Sequence, residues 1–217
     1  MRRLFLALAL LSIFFFISTL SCASIPSFSA IPFCPALSSN SLVVGSGAIH
    51  IGLISIALFF LWEKDLKTML KKLGFPGNLF DTLLYSVGGF MALFALLMMI
   101  GIVSMAFGFN DQSKISDKVG DLPWYILALA VLFAPFSEEL FFRGLLVPRF
   151  GIIGPAILFG LSHLSYGSIV EVLGVFAIGL VFGIIYERSK SITPCIIVHL
   201  LYNLVSISLM LFMRSHP

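Results

Sequence analysis

Residues 124–146 read WYILALAVLFAPFSEELFFRGLL. The first fourteen positions carry no charge, and then Glu138, Glu139 and Arg143 fall among Phe, Leu and Gly. The run is long and apolar enough to cross a bilayer, which takes about 20 residues. An ionisable group at the centre of such a helix costs at least about 2.5 kcal/mol, so it needs a partner or a purpose. The stretch reads as a membrane helix that carries chemistry.

The rest of the chain agrees. Of its 217 residues 59% are hydrophobic and only 11% charged, with a mean hydropathy of +1.10. Soluble domains carry about 25% charged residues, so a soluble globular fold is excluded. The expected class is all-α, a polytopic transmembrane helical bundle whose first partner is the lipid bilayer. The net charge of +3 does not point to nucleic acid, because Lys and Arg sit in loops between apolar runs. Cys22, Cys34 and Cys195 form no CxxC and no spacing typical of structural zinc. Cys195 reads as a small buried hydrophobe, and a Cys22–Cys34 disulfide stays open.

About seven spans are expected, at Leu4–Leu20, Leu42–Trp62, Thr82–Phe109, Trp124–Phe142, Ile152–Leu164, Ile169–Tyr186 and Pro194–Met213. The fifth is short and reads as tilted, broken or buried against its neighbours. Residues 1–22 fit either a retained helix or a cleaved signal peptide, which would leave six spans. The chain then divides into that segment, the membrane helices of 42–109, and a catalytic membrane domain over 123–213. The stretches WEKDLKTMLKKLGFPGN and NDQSKISDKVGDLP read as connectors, and no internal repeat is visible.

Orientation follows from counting basic residues. With a cytoplasmic N terminus and alternating spans, one side holds Arg2, Arg3, the four lysines of 64–72, Arg143, Arg149, Arg188 and Lys190. The other holds Lys114, Lys118 and Arg214, and the two sets exhaust the 13 basic residues. The richer side is expected to be cytoplasmic. The protein is placed in the plasma (inner) membrane, with its catalytic motifs toward that side.

Polar chemistry concentrates after Pro123. The N-terminal half offers only His50 near a span start and the boundary residues Glu63 and Asp81. On a helix Glu139 and Arg143 share a face and can pair. Glu138 is turned about 100° away, and its i+3 and i+4 neighbours are Phe141 and Phe142. It gains no cation from its own helix and is free to exchange a proton, as a general base must. Glu138 is the expected base and Glu139 the strut. The plainer alternative is that all three mark a helix end, with Arg143 and Arg149 as interfacial anchors. Downstream, His163 lies four residues after Phe159. Thr193 and Pro194 look like an N-cap and first helical residue, and His199 and Asn203 then sit one turn apart. Two histidines, an Asn and a Glu pair on three helices are able to hold and activate a water.

Glu138-Glu139-x-x-x-Arg143, Phe159-x-x-x-His163 and His199-x-x-x-Asn203 resemble the three motifs of the CPBP intramembrane proteases. That family takes in type II CAAX prenyl endopeptidases and bacteriocin-processing Abi proteins. The resemblance covers roughly residues 123–213. It implies an endopeptidase acting on a membrane-associated peptide or protein substrate, prenylated in the CAAX case. Glu138 and His163 would activate water, His199 and Asn203 would stabilise the oxyanion, and Glu139 with Arg143 would hold the site. No cofactor is favoured. Zinc on Glu138, His163 and His199, as in a metalloprotease, is the alternative, although no HExxH is present. Gly179 and Gly183 form a small-xxx-small pair suited to close helix packing, and Glu171 reads as a boundary residue. The competing functions are a bacteriocin-immunity protein of the same fold without proteolysis, or a small proton-coupled transporter. The absence of a repeat argues against the transporter.

Overall fold

Polar caps fix where the apolar helices begin. The computed structural model describes residues 4–9, 39–109, 111 and 113–216. Residues 4–9 are helical. Helix α1 runs Ser39–Leu61 and α2 Leu66–Lys72, the latter opened by Asp65, whose Oδ1 accepts the Thr68 N–H at 2.8 Å. Asn78 opens α3 (Leu79–Ala106) by accepting the N–H groups of Phe80 and Asp81. Then follow α4 (Ser113–Gly120), α5 (Trp124–Leu132), α6 (Ala134–Glu139), a π-helical turn (Leu140–Leu146), α7 (Val147–Phe150) and α8 (Ile153–Leu161). A 3₁₀ turn (Leu164–Tyr166) leads to α9 (Ile169–Ser189) and α10 (Thr193–Ser215). No strand occurs among the described residues, so the all-helical expectation holds.

The expected span count is met only in part among the described residues. Four stretches are long and apolar enough to cross a membrane: Leu79–Ala106, Trp124–Phe150, Ile169–Ser189 and Thr193–Ser215. A fifth is the pair Gly45–Leu61 and Leu66–Lys72, bent by 95°. The chain is therefore a multi-pass membrane protein, and among the described residues four or five spans are found, so the expected count of about seven is not confirmed. The expected first span, and with it the choice between helix and signal peptide, lies mostly outside the described residues, as do Cys22 and Cys34. The expected fifth span is a helix of nine residues, about 14 Å long at 1.5 Å per residue against a hydrocarbon core of about 30 Å. Both loops expected as plain connectors contain a helix, α2 and α4.

Helix α8 still carries the chain from one end of the bundle to the other. A Cβ on Gly183 would meet Ile152, one on Gly179 would lie 2.9 Å from the Ala156 Cα, and one on Gly160 would lie 3.0 Å from the Val172 carbonyl. The small-xxx-small pair is thus the seat of α8 on α9. The crossing is finished by the non-helical residues around His163. Such backbone is tolerated at membrane depth only where protein buries it or it lines a cavity.

Contacts between loops define the two ends. The Ser191 hydroxyl donates to the Gly74 carbonyl at 2.6 Å, and Ile192 N–H to the Leu73 carbonyl at 3.2 Å. At the opposite end Lys114 donates to the Gly167 carbonyl at 3.1 Å, and Arg214 pairs with Asp121 at 2.7 Å. Ser168 donates to Asp111 there at 2.8 Å, and Ile169 N–H adds a second bond at 2.7 Å. Those bonds, the Ser168 hydroxyl foremost, hold the Asp111 carboxyl below its usual range. The lysine-rich 64–72 segment lies at the first end and Lys114, Lys118 and Arg214 at the second, the same partition as the charge count.

Two apolar clusters join these elements. Phe142, Phe159, Val175, Ile178, Phe182 and Val198 form one, and Ala57, Leu61, Met69, Leu73, Leu140 and Ile192 the other. Cys195 is fully buried, as its setting predicts, and its thiol donates to the Phe182 carbonyl at 3.4 Å. Thr193 is not the N-cap expected of it. The helix already includes Thr193, and the Ser191 hydroxyl accepts its N–H at 3.2 Å. A serine two residues upstream takes that N–H and also ties the helix start to the Gly74 carbonyl.

Candidate active site

The span 124–150 breaks at Phe133, just before Pro135. Proline has no N–H to continue the ladder, and its ring crowds the turn before it. Asn203 meets the break from α10, its Nδ2 donating to the Ala130 carbonyl at 2.8 Å. Ser137, Glu138 and Glu139 follow on α6, and the helix then widens into the π turn, a distortion common at functional sites.

Glu139 and Arg143 are buried behind the site. Arg143 is 1% exposed and Glu139 0%, and the guanidinium Nη1 donates to Glu139 Oε1 at 2.9 Å. Its other amino group reaches the Gly179 carbonyl at 3.4 Å. The guanidinium carbon also lies 4.7 Å from the Phe159 ring centroid and 5.0 Å from that of Phe182. Arg143 is therefore no interfacial anchor. Glu139 Oε1 accepts a second bond, from His199 Nδ1 at 2.8 Å, while Oε2 has no hydrogen-bond partner among the described residues. All the pairing falls on one oxygen.

Glu138 points the other way. It keeps 15% of its side chain exposed and borders a cavity of about 1250 Å³. Its Oε2 lies 3.8 Å from His199 Nε2, close enough for charge interaction but beyond a hydrogen bond. The cavity is also lined by His163, His199 and Asn203, and by His50 and Glu171. Helix α4 covers part of it with Ile115 and Val119.

Hydrogen bonding fixes the ring orientations. An ionised carboxylate only accepts, so His199 donates from Nδ1 to Glu139. A carbonyl likewise only accepts, so His163 donates from Nδ1 to Phe159 at 3.0 Å. Both rings are left with Nε2 for the cavity. The His163 ring stacks on Tyr166, with centroids 5.8 Å apart.

Glu138, His163, His199 and Asn203, from three separate stretches, thus border one cavity, and Glu139 with Arg143 stands behind His199. Glu138, His163 and His199 do not close into a ligand set: among the described residues no three His, Cys, Asp or Glu side chains are grouped to hold a metal ion. Sequence reasoning gave no part in the site to His50, Tyr166 or Glu171, all of which line the cavity. His50 was visible only as a polar residue near a span start, Tyr166 carried no signal, and Glu171 was read as a boundary residue although it also faces the cavity.

Residues 120–205 match the family described as Rce1-like, type II CAAX prenyl endopeptidase Rce1-like. Over these residues the chain is similar to that family. The resemblance drawn from the three motifs is thereby shown, and every motif residue falls inside the matched stretch. His50 and the helices before residue 120, except the end of α4, lie outside the matched stretch. Comparison with curated proteins and with solved structures gives no match.

Proposed function

We propose that the chain is an intramembrane endopeptidase that hydrolyses a peptide bond of a membrane-associated, CAAX-type substrate with a water activated by Glu138 and His163. The observation that supports it is the convergence of Glu138, His163, His199 and Asn203 on one cavity, within the stretch that matches a peptidase family.

The water sits between Glu138 and His163 Nε2, gives its proton to Glu138 and attacks the carbonyl carbon. The oxyanion receives hydrogen bonds from Asn203, which has a second Nδ2 hydrogen beyond the one given to Ala130, and from His199 in its protonated form. Glu139 at 2.8 Å supplies the counter-charge for that imidazolium. As the carbon–nitrogen bond breaks, Glu138 returns its proton to the leaving amine. Donors already aimed at the developing charge lower the barrier without reorganisation.

Purified protein incubated with membrane-associated peptides, prenylated and not, is expected to cut at least one at a single bond identified by mass spectrometry. No cleavage of any peptide would remove the reading. Activity is expected to survive prolonged chelation in protein without stoichiometric zinc. Zinc near one per chain, lost together with activity in His163→Ala and His199→Ala, would replace the metal-independent mechanism with the zinc one.

The end holding 64–72 is proposed as cytoplasmic. A cysteine at position 114 on a cysteine-free background should label from the opposite face, and labelling from the cytoplasm alone would reverse the orientation.

A further inference from the structure

The cavity has a third histidine that none of the motifs includes. His50 comes from α1, and its Nδ1 lies 2.7 Å from the Ser137 hydroxyl. That hydroxyl donates its one hydrogen to the Ala134 carbonyl at 2.9 Å, so it can only accept from His50. Nδ1 therefore carries the proton and Nε2 the lone pair, and His50 borders the same cavity as Glu138. The Phe133 ring supports the imidazole edge-on, with centroids 5.9 Å apart.

Position on α6 gives this acceptor a use. Ser137, Glu138 and Glu139 fan out about 100° apart around the helix. Ser137 holds His50 and Glu139 holds His199, so Glu138 lies between two imidazoles. A peptide bond is planar and trans, so its N–H and C=O point in opposite directions. A scissile bond over Glu138 with its carbonyl toward His199 and Asn203 turns its N–H toward the Ser137 side. In an apolar cavity that N–H is costly unless an acceptor meets it.

We infer that His50 Nε2 accepts a hydrogen bond from the N–H of the scissile peptide bond, with Ser137 acting as the positioning residue that fixes the tautomer. The inference rests on the peptidase reading. It makes His50 a substrate-contacting residue contributed by the half of the chain without motifs.

The test uses the panel peptide that the wild-type protein cuts fastest, made in two forms. One is the amide, and the other has an ester oxygen in place of the scissile nitrogen. His50→Ala is expected to lower kcat/KM for the amide roughly three- to tenfold, the range of one neutral hydrogen bond. Its kcat/KM for the ester should stay at or slightly above the wild-type value, since the ester has no N–H to offer. Ser137→Ala frees the tautomer and should show a smaller loss with the same amide selectivity. It carries the test if His50→Ala fails to fold. Equal losses on amide and ester would overturn the inference and leave the peptidase reading standing. Wild-type protein that cuts neither form removes both.

Discussion

Glu138→Gln is expected to abolish proteolysis while leaving the amount of folded protein unchanged, and Arg143→Ala to do nearly the reverse. Glutamine keeps the size and hydrogen-bonding capacity of Glu138 but cannot take a proton. Loss of a general base typically costs 10²–10⁴ in rate, and here the same group also returns the proton to the leaving amine. Glu138 makes no hydrogen bond shorter than 3.5 Å to His199 and keeps a side exposed to the cavity, so little of the packing depends on its charge. Arg143 is different. It is the cation for a carboxylate that is 0% exposed, and three aromatic rings surround it. Removing one partner of a buried ion pair costs about 3–5 kcal/mol, against a total stability on the order of 5–15 kcal/mol. Glu139→Gln keeps an oxygen acceptor for Arg143 and His199 but removes the negative charge that balances the buried guanidinium, and should behave likewise. Yield after size exclusion and activity per folded molecule separate the two effects. A Glu138→Gln protein with full specific activity would sink the assignment of the base.

That contrast between neighbouring glutamates was legible because it is local. Helical geometry alone pairs Glu139 with Arg143 and leaves Glu138 beside Phe141 and Phe142. The His199–Asn203 spacing is local in the same way. What the spacing could not carry is which helix each face meets. The bond from His199 to Glu139 joins residues 60 apart in the chain, and that from Asn203 to Ala130 residues 73 apart. His50 shows the cost most clearly. Its link to Ser137 spans 87 residues, and among the described residues the helix that carries it lines the cavity with no other polar side chain except Ser46. A lone histidine in an apolar helix gives no local sign of its partner.

The fifth expected span fell short for a related reason. Hydropathy finds apolar length but not where a helix stops. Residues 152–164 are apolar throughout their first ten positions, yet helix α8 ends at Leu161 and the 3₁₀ turn begins at Leu164. Ser162 bonds back to the Phe159 carbonyl at 2.7 Å, and His163 shares that carbonyl. Side chains that bond the last carbonyls compete with helix continuation, and the residue they expose is the proposed water-orienting histidine. The irregular crossing and the candidate site are one feature. In the same way the π turn after Glu139 widens the helix where Arg143 must pass among three rings, a local distortion that no propensity scale announces.

Asn203→Ala is expected to lower kcat about 10²–10³-fold with little change in KM, the signature of a donor to an oxyanion. The interaction is made with charge that exists only in the transition state, so its loss cannot weaken ground-state binding to the same degree. The variant also releases the Ala130 carbonyl at the break before Pro135. That carbonyl borders the cavity through Ala130 and can take water instead, so folded yield should fall only slightly. His199→Ala combines two effects that Asn203→Ala keeps apart. It removes the second oxyanion donor, and it also removes one of the two donors to Glu139 Oε1 inside a buried cluster. It should therefore lose turnover by a similar factor and lose folded yield as well. His199→Gln, with an amide donor of shorter reach, should recover part of the yield without recovering turnover. The decisive measurement is the split between kcat and KM on one peptide, corrected for folded protein. A rise in KM at unchanged kcat in Asn203→Ala would show that the residue holds the ground-state substrate, and the oxyanion role would have to move to other donors around the cavity.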